Sequence, residues 1–399
     1  MIYIKRNTYY LLTFLSTLLI IIIFLCQSCL INKESRERLR ISKKSRITYK
    51  EGCQKFFYYG NSILLTANVD VIADTVLFDT GFNAYISTIV FDDTNTTKKR
   101  KDQMKAINGK NTVFYDFFAQ DVSCDLFHAV DCLGQIIYFS SDNYPSHIRH
   151  KLSKYKIVGL PLIQGYFNTL GINFSDSTLC VFETEHYDTT DYLRIKSDFF
   201  ITLKKVYLTI NNIEYGFIFD TGFSGGLLMN KSEYLHHMDS TDILFEGLFA
   251  YGVNGHIISD TNILKYHKQN VYYTKSESLI VNNLTFVENV DYNVMGIHFI
   301  SQFDWIIDPL QEVVYVKPLT NKSRENIKKY EFTYTVDDYN DKLLIVCRSL
   351  SKQAIHPLFS IIQSVNGVKI TKDNMYYYKD LLNKPDAFKE NNIVILPPQ

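Results

Sequence analysis

One phrase occurs twice in this chain and limits what it can fold into more than anything else does: Val76-Leu77-Phe78-Asp79-Thr80-Gly81-Phe82 in the first half and Phe217-Ile218-Phe219-Asp220-Thr221-Gly222-Phe223 in the second. Each copy delivers a carboxylate on a tight turn after an apolar, strand-like run. One Asp-Thr-Gly carries little weight, since with these residues at about 5–7% each a given tripeptide turns up in roughly one chain in ten of this length. Here both copies follow a run ending in Phe and both continue with Phe. Two aspartates brought to hydrogen-bonding distance cannot both ionise, so one keeps its proton and serves as acid while the other serves as base.

The flanks repeat as well. Leu65-Thr66-Ala67-Asn68 matches Leu208-Thr209-Ile210-Asn211, and each leads by a short turn into the Asp-bearing run. Downstream, Asn108-Gly109 and Asn254-Gly255 sit between extended segments. Asn-Gly is the strongest two-residue hairpin signal because both residues tolerate positive φ. Ile157-Val158-Gly159 then corresponds to Val294-Met295-Gly296, each followed by a Phe-led strand pair, Phe167 to Val181 and Phe303 to Val316. The repeated unit is strand, Asp turn, hairpin, apolar-apolar-Gly and strand pair, and it predicts two units over residues 56–190 and 195–320. A chain of 399 residues leaves each unit room for its own core.

On these residues the chain resembles the retropepsin-like and pepsin-like aspartic peptidases over about residues 60 to 318. The resemblance implies a mostly β fold, with two β-barrel lobes related by internal duplication and the dyad where they meet. It implies that Asp79 and Asp220 are catalytic and hold the attacking water. Thr80 and Thr221 would lock the two turns through their hydroxyls, and Gly81 and Gly222 would let backbone N–H groups approach the carboxylates. The hairpins at Asn108-Gly109 and Asn254-Gly255 would be flaps over the cleft, with Tyr115 and Tyr251 as candidate flap tyrosines. The Gly159 and Gly296 segments would pack behind the Asp turns. Phe82 and Phe223 stand where many relatives carry a small residue, which removes a hydroxyl contact to the outer carboxylate oxygen.

The residues support the same chemistry independently. Peptide hydrolysis needs a water deprotonated and a carbonyl oxygen protonated in one geometry, and two carboxyls sharing a proton do both without a metal or other cofactor. Phe78, Phe82, Phe219 and Phe223 supply an apolar setting that separates the two titrations. The alternative from the same fold is a non-catalytic peptide-binding lipoprotein. A third reading is a serine hydrolase, because Gly222-Phe223-Ser224-Gly225-Gly226 fits G-x-S-x-G, but that elbow requires a strand-to-helix turn in an alternating α/β chain, and the first unit has Asn83 where Ser224 stands.

Seven cysteines form no metal pattern; Cys124 and Cys132 are near enough in sequence to pair in an oxidising compartment. No histidine falls at a ligand spacing, and His256 and His298 are read as structural with a possible place at the cleft. With 42 basic residues balancing 42 acidic ones and no aromatic-basic platform, no nucleic-acid partner is expected.

At the start, Lys5 and Arg6 precede an uncharged apolar stretch from Tyr9 to Leu25, followed by Gln27-Ser28-Cys29. This looks like a bacterial lipoprotein signal over residues 1–29 with Cys29 as the lipidation site, and an uncleaved membrane anchor is the alternative. Residues 30–55 read as a basic tether, with seven Lys or Arg and two Glu between 33 and 46. These features imply a membrane-anchored protein of a bacterial cell envelope, acting on polypeptide substrate. Beyond Pro318 a charged linker leads to strand-like runs at Phe332 to Thr335, Leu343 to Cys347, Ile361 to Val365 and Ile393 to Leu396. Residues 330–399 look like a small α+β PDZ-like domain with a helix near Tyr376 to Leu382. Such domains add a peptide as an extra strand. No glycine lies between Gly296 and Gly367 to form a carboxylate loop, so docking onto the chain itself is as well supported as peptide binding.

Overall fold

The computed structural model describes residue 40 and residues 43–398, apart from 59–61, 83, 92–100, 106–110, 140–145, 166–167, 183–186, 200–203, 237–242, 253–254, 266–268, 282–283, 288–289, 291, 320–332, 340, 351–353 and 385. The fold is mostly β.

In the first half, Ile63–Val69 and Ile72–Asp79 form an antiparallel hairpin. It turns at Asp70-Val71, both with positive φ (48° and 63°), the backbone twist that lets a two-residue turn follow the strands. Ile63, Leu65, Ala67 and Val69 face the main core, while Leu64 and Leu77 join a smaller cluster on the other side. The strand bearing Asp79 gains a parallel neighbour, Lys156–Gly159, in a register that sets Asp79 opposite Gly159. That neighbour is antiparallel to Ile86–Phe91, which in turn is parallel to Phe127–Phe139.

The second half has the same order of partners. Lys204–Ile210 and Ile213–Phe219 form a hairpin turning at Asn211-Asn212, with φ of 50° and 64°. Ile213–Phe219 pairs in parallel with Asn293–Met295. That strand is antiparallel to Leu227–Asn230, which is parallel to Leu284–Val287. Parallel neighbours need a crossover connection rather than a tight turn. In both halves the crossover contains a long hairpin, Asn111–Ser123 with Phe127–Phe139 and Ile243–Gly252 with Gly255–Lys265.

The two halves meet in an antiparallel sheet. Thr169–Asn173 and Thr178–Phe182 come from the first half, Phe303–Asp308 and Val313–Pro318 from the second, and the seam runs from Leu170 opposite Ile307 to Ile172 opposite Trp305. Alternate residues of these strands fill the shared core; Trp305 and Phe303 are fully buried.

Two expectations need correction. Residues 46–55 are not tether: Arg46–Tyr49 pairs with Phe127–Phe139, and Gly52–Tyr58 pairs with Thr178–Phe182 and Ile63–Val69. The reason is the apolar alternation that follows the charge run, with Ile47, Tyr49 and Phe56 packed into the core. Cys124 and Cys132 also remain separate thiols, while Cys53 and Cys180 form a disulfide. Cys53 and Cys180 lie directly opposite each other on antiparallel neighbours, the close approach that a bridge requires. Burial pushes the Cys124 thiol up to about 11 and the Cys132 thiol up to about 12, which suppresses thiolate chemistry at both.

The tail contributes five strands, Tyr334–Tyr339, Lys342–Ser349, Ile361–Val365, Val368–Lys369 and Ile393–Leu396, covered by helices Met375–Leu382 and Ala387–Glu390. Val336, Leu343, Ile345, Ile362, Val365, Met375 and Leu382 make a core separate from that of the two halves. Asn366 and Gly367 form the tight turn with φ of 51° and 80°. Lys342–Ser349 also pairs with Ile243–Gly252, so the tail extends the second-half hairpin by further strands. Glu246 opposite Arg348 adds an ion pair at this junction. Gly247 (φ 115°) is obligatory there, because an added Cβ would lie 2.3 Å from the Val346 carbonyl oxygen.

Candidate active site

Each Asp-Thr-Gly turn ends an apolar strand whose parallel neighbour is a glycine-terminated strand. Gly159 and Gly296 are required by closeness: a Cβ on Gly159 would lie 2.1 Å from the Ala84 carbonyl oxygen, and one on Gly296 would lie 2.4 Å from that of Gly225. Side-chain-free backbone at these two points lets the chain after each aspartate fold back against the strand behind it. The Gly296 amide donates to Gly226 (2.8 Å) and the Asp220 amide to Met295 (3.0 Å), fastening the second turn. Trp305 supports Phe219 edge-on, with ring centroids 4.8 Å apart, and its indole N–H donates to the Ile300 carbonyl at 2.7 Å.

The two turns are bolted to each other through their threonines, both fully buried. The Thr80 amide donates to Thr221 Oγ1 and the Thr221 amide to Thr80 Oγ1, each at 2.9 Å. Thr80 Oγ1 then donates to the Phe219 carbonyl at 3.0 Å, and Thr221 Oγ1 to the Phe78 carbonyl at 3.3 Å. A hydroxyl accepts one bond and donates another, so each threonine satisfies two buried backbone groups of the opposite half.

That lattice brings the carboxyls together. A Cβ on Gly81 would lie 2.6 Å from Cγ of Asp220, and one on Gly222 would lie 2.3 Å from Oδ2 of Asp79, so each carboxyl sits against the other turn's glycine. Each carboxyl acts on the other's titration, Asp220 raising Asp79 and Asp79 lowering Asp220. Burial pushes Asp79 up to about 8, and the charge of Asp220 adds to the rise. Burial also raises Asp220, but backbone donors oppose it: Gly222 N–H at 2.9 Å and Phe223 N–H at 3.1 Å both donate to its Oδ1. Among the described residues, Asp79 receives a backbone donor only from Gly81, at 2.8 Å. The backbone donors therefore favour the proton on Asp79 and the charge on Asp220.

Lys204 completes the site and was missed in the sequence. It is 3% exposed, and its Nζ donates to the carbonyl oxygen of Thr80, the residue after Asp79. Burial lowers its pKa to about 8, against the raising effect of Asp79 and Asp220. A signal was available: Lys204, Val206, Leu208 and Ile210 share the inward face of one alternating strand, so a lysine stands where the pattern asks for an apolar residue.

The remaining candidates fall as follows. Asn108, Gly109 and Asn254 lie outside the described residues, as does Cys29, while Gly255 opens the strand Gly255–Lys265. Tyr115 sits on Asn111–Ser123 opposite Ile136, and Tyr251 sits on Ile243–Gly252 opposite His256. Ser224 is exposed, and the chain after it runs into the strand Leu227–Asn230 rather than the helix a nucleophile elbow needs. Among the described residues no His, Cys, Asp and Glu cluster of three or more would hold a metal ion, and no helix is long and apolar enough to cross a membrane. No protein-family model matches the chain, and no curated protein matches it in sequence.

Proposed function

We propose that the chain is an aspartic endopeptidase, hydrolysing peptide bonds with a water activated between Asp79 and Asp220. The observation that carries this reading is the mutual approach of the two carboxyls, each lying against the glycine of the other turn. In this reading Asp220, held as the anion by two backbone N–H groups, takes a proton from the water. Asp79 gives its proton to the carbonyl oxygen as the tetrahedral centre forms. Both transfers occur within one apolar site, where Phe78, Phe82 and Phe219 are buried, and no reorganisation of bulk water is required.

The recurring order of strands around the two aspartates supports descent of the halves from one duplicated unit, as in the bilobal peptidases. The long hairpins are assigned as flaps, and the tail as a PDZ-like module docked on the second of them through Lys342–Ser349. The N-terminal residues are assigned to an envelope anchor through Cys29. The full-length protein, presented with a peptide library across acid to neutral pH, should cleave in a manner blocked by a statine-type inhibitor. Cleavage indifferent to that inhibitor, or binding without cleavage, would overturn the assignment.

A further inference from the structure

Lys204 has no counterpart in the other half. Leu64 pairs with Leu77 and Lys205 with Ile218, each partner standing two residues before its aspartate. One step back along the strand, Ile63 and Lys204 therefore occupy matching places, and Ile63 is a fully buried apolar residue. The architecture accepts a hydrocarbon at this point, and an ammonium put there must overcome the cost of leaving water. A merely structural side chain would not need the charge. Among the groups that act on the ammonium are the Thr80 carbonyl, which accepts its hydrogen bond, and the carboxyls of Asp79 from one half and Asp220 from the other.

We propose that Lys204 is a positioning residue for the dyad: its ammonium, anchored on the Thr80 carbonyl, balances the single negative charge of the half-ionised pair and so holds Asp79 and Asp220 in the one protonation state that activates water. The inference rests on the peptidase reading for its consequence, though not for the charge coupling itself. A positive charge beside the pair favours the singly ionised state over the neutral one, extending it to lower pH. The same charge favours loss of the last proton, ending that state earlier on the alkaline side. Asp79 and Lys204 are both placed near 8 by their surroundings, so the alkaline boundary belongs to the three groups together. Lys204 thereby sets where the working window sits, and the desolvated pair alone would work at higher pH.

The test separates charge from hydrogen bonding. Lys204→Gln keeps a donor for the Thr80 carbonyl without the charge, Lys204→Met removes both, and Lys204→Arg keeps the charge. Two readouts are made on the full-length protein and the variants: the pH profile of kcat/KM, and the titration of the Asp79 and Asp220 carboxyl carbons by 13C NMR. Both limbs of the profile, and both carboxyl titrations, should move to higher pH by about 1–3 units in the Gln and Met variants, while the Arg variant, which stays charged throughout this range, should keep the acid limb in place. Unmoved titrations in folded Gln and Met variants would overturn the proposal, as would a uniform loss of rate with fixed limbs. Moved titrations in a protein that cuts no peptide would uphold the role of Lys204 and defeat the peptidase reading instead.

Discussion

Set side by side, the two halves surround their aspartates with the same strands and differ in what stands against them. In the first half the inward place beside the Asp strand holds Ile63; in the second it holds Lys204. Asp79 accepts one backbone N–H bond in its turn, whereas Asp220 accepts two on the same oxygen. The first half is stapled by Cys53–Cys180, and the second is extended by the tail sheet on its long hairpin. The lesson is that near-symmetric backbones hold an asymmetric charge distribution. A symmetric dyad would leave the proton shared equally, whereas the extra backbone donor here favours the charge on Asp220 and the proton on Asp79.

Substitutions on either side probe this asymmetry. The largest effect should come from Gly81→Ala and Gly222→Ala, which place a methyl 2.6 Å from Cγ of Asp220 and 2.3 Å from Oδ2 of Asp79 respectively. Each displaces the carboxyl of the opposite half, and kcat/KM should fall by about 10²-fold or more, since misplacement by about 1 Å costs that much. Retained activity in either would mean that the carboxyls do not need this approach. Thr80→Val and Thr221→Val each strip a partner from one amide and one carbonyl of the other half. Each should cost ~1–3 kcal/mol per orphaned group in urea unfolding, with Thr80 the costlier because its donated bond is 3.0 Å against 3.3 Å. Equal and negligible losses would show that the turns are held by packing alone. The smallest effect concerns the two matching hairpin turns, where the second position is Val71 in the first half and Asn212 in the second, at φ of 63° and 64°. A β-branched residue is strained there and asparagine is not, so Val71→Asn should raise stability by about 1 kcal/mol. A destabilised variant would imply that exposed Val71 makes a contact worth more than its strain.

Much of this arrangement was legible in the residues. Asp-Thr-Gly after an apolar run, repeated, marks both turns and the glycines behind them, because each of those conformations admits few residue types; the upstream match of Leu65–Asn68 with Leu208–Asn211 is two residues out of register, since Val69 and Ile210 are the residues that precede the two hairpin turns. The tail was legible for the same reason: Asn366-Gly367 marks its tight turn, and short strand-like runs rich in Ile and Val mark Ile361–Val365 and Ile393–Leu396. What was not legible depends on partners far along the chain. Cys53 meets Cys180 only because their strands become neighbours, and local spacing favoured Cys124 with Cys132 instead. Arg46–Tyr49 finds its place against Phe127–Phe139, a pairing hidden by the charge run before it. The lysine at 204 broke an alternation that was otherwise easy to follow, and such a break is where a functional group is expected.

In the proposed mechanism Asp79 and Asp220 act as one unit sharing a proton. The most direct measurement is kcat/KM for a cleaved peptide in wild type, Asp79→Asn, Asp220→Asn and the double variant. Each single substitution should lower the rate by about 10²–10⁴-fold, and the double variant should be little worse than either, because groups that act as a unit are non-additive. Full activity in either single variant, or losses that multiply in the double, would contradict the account.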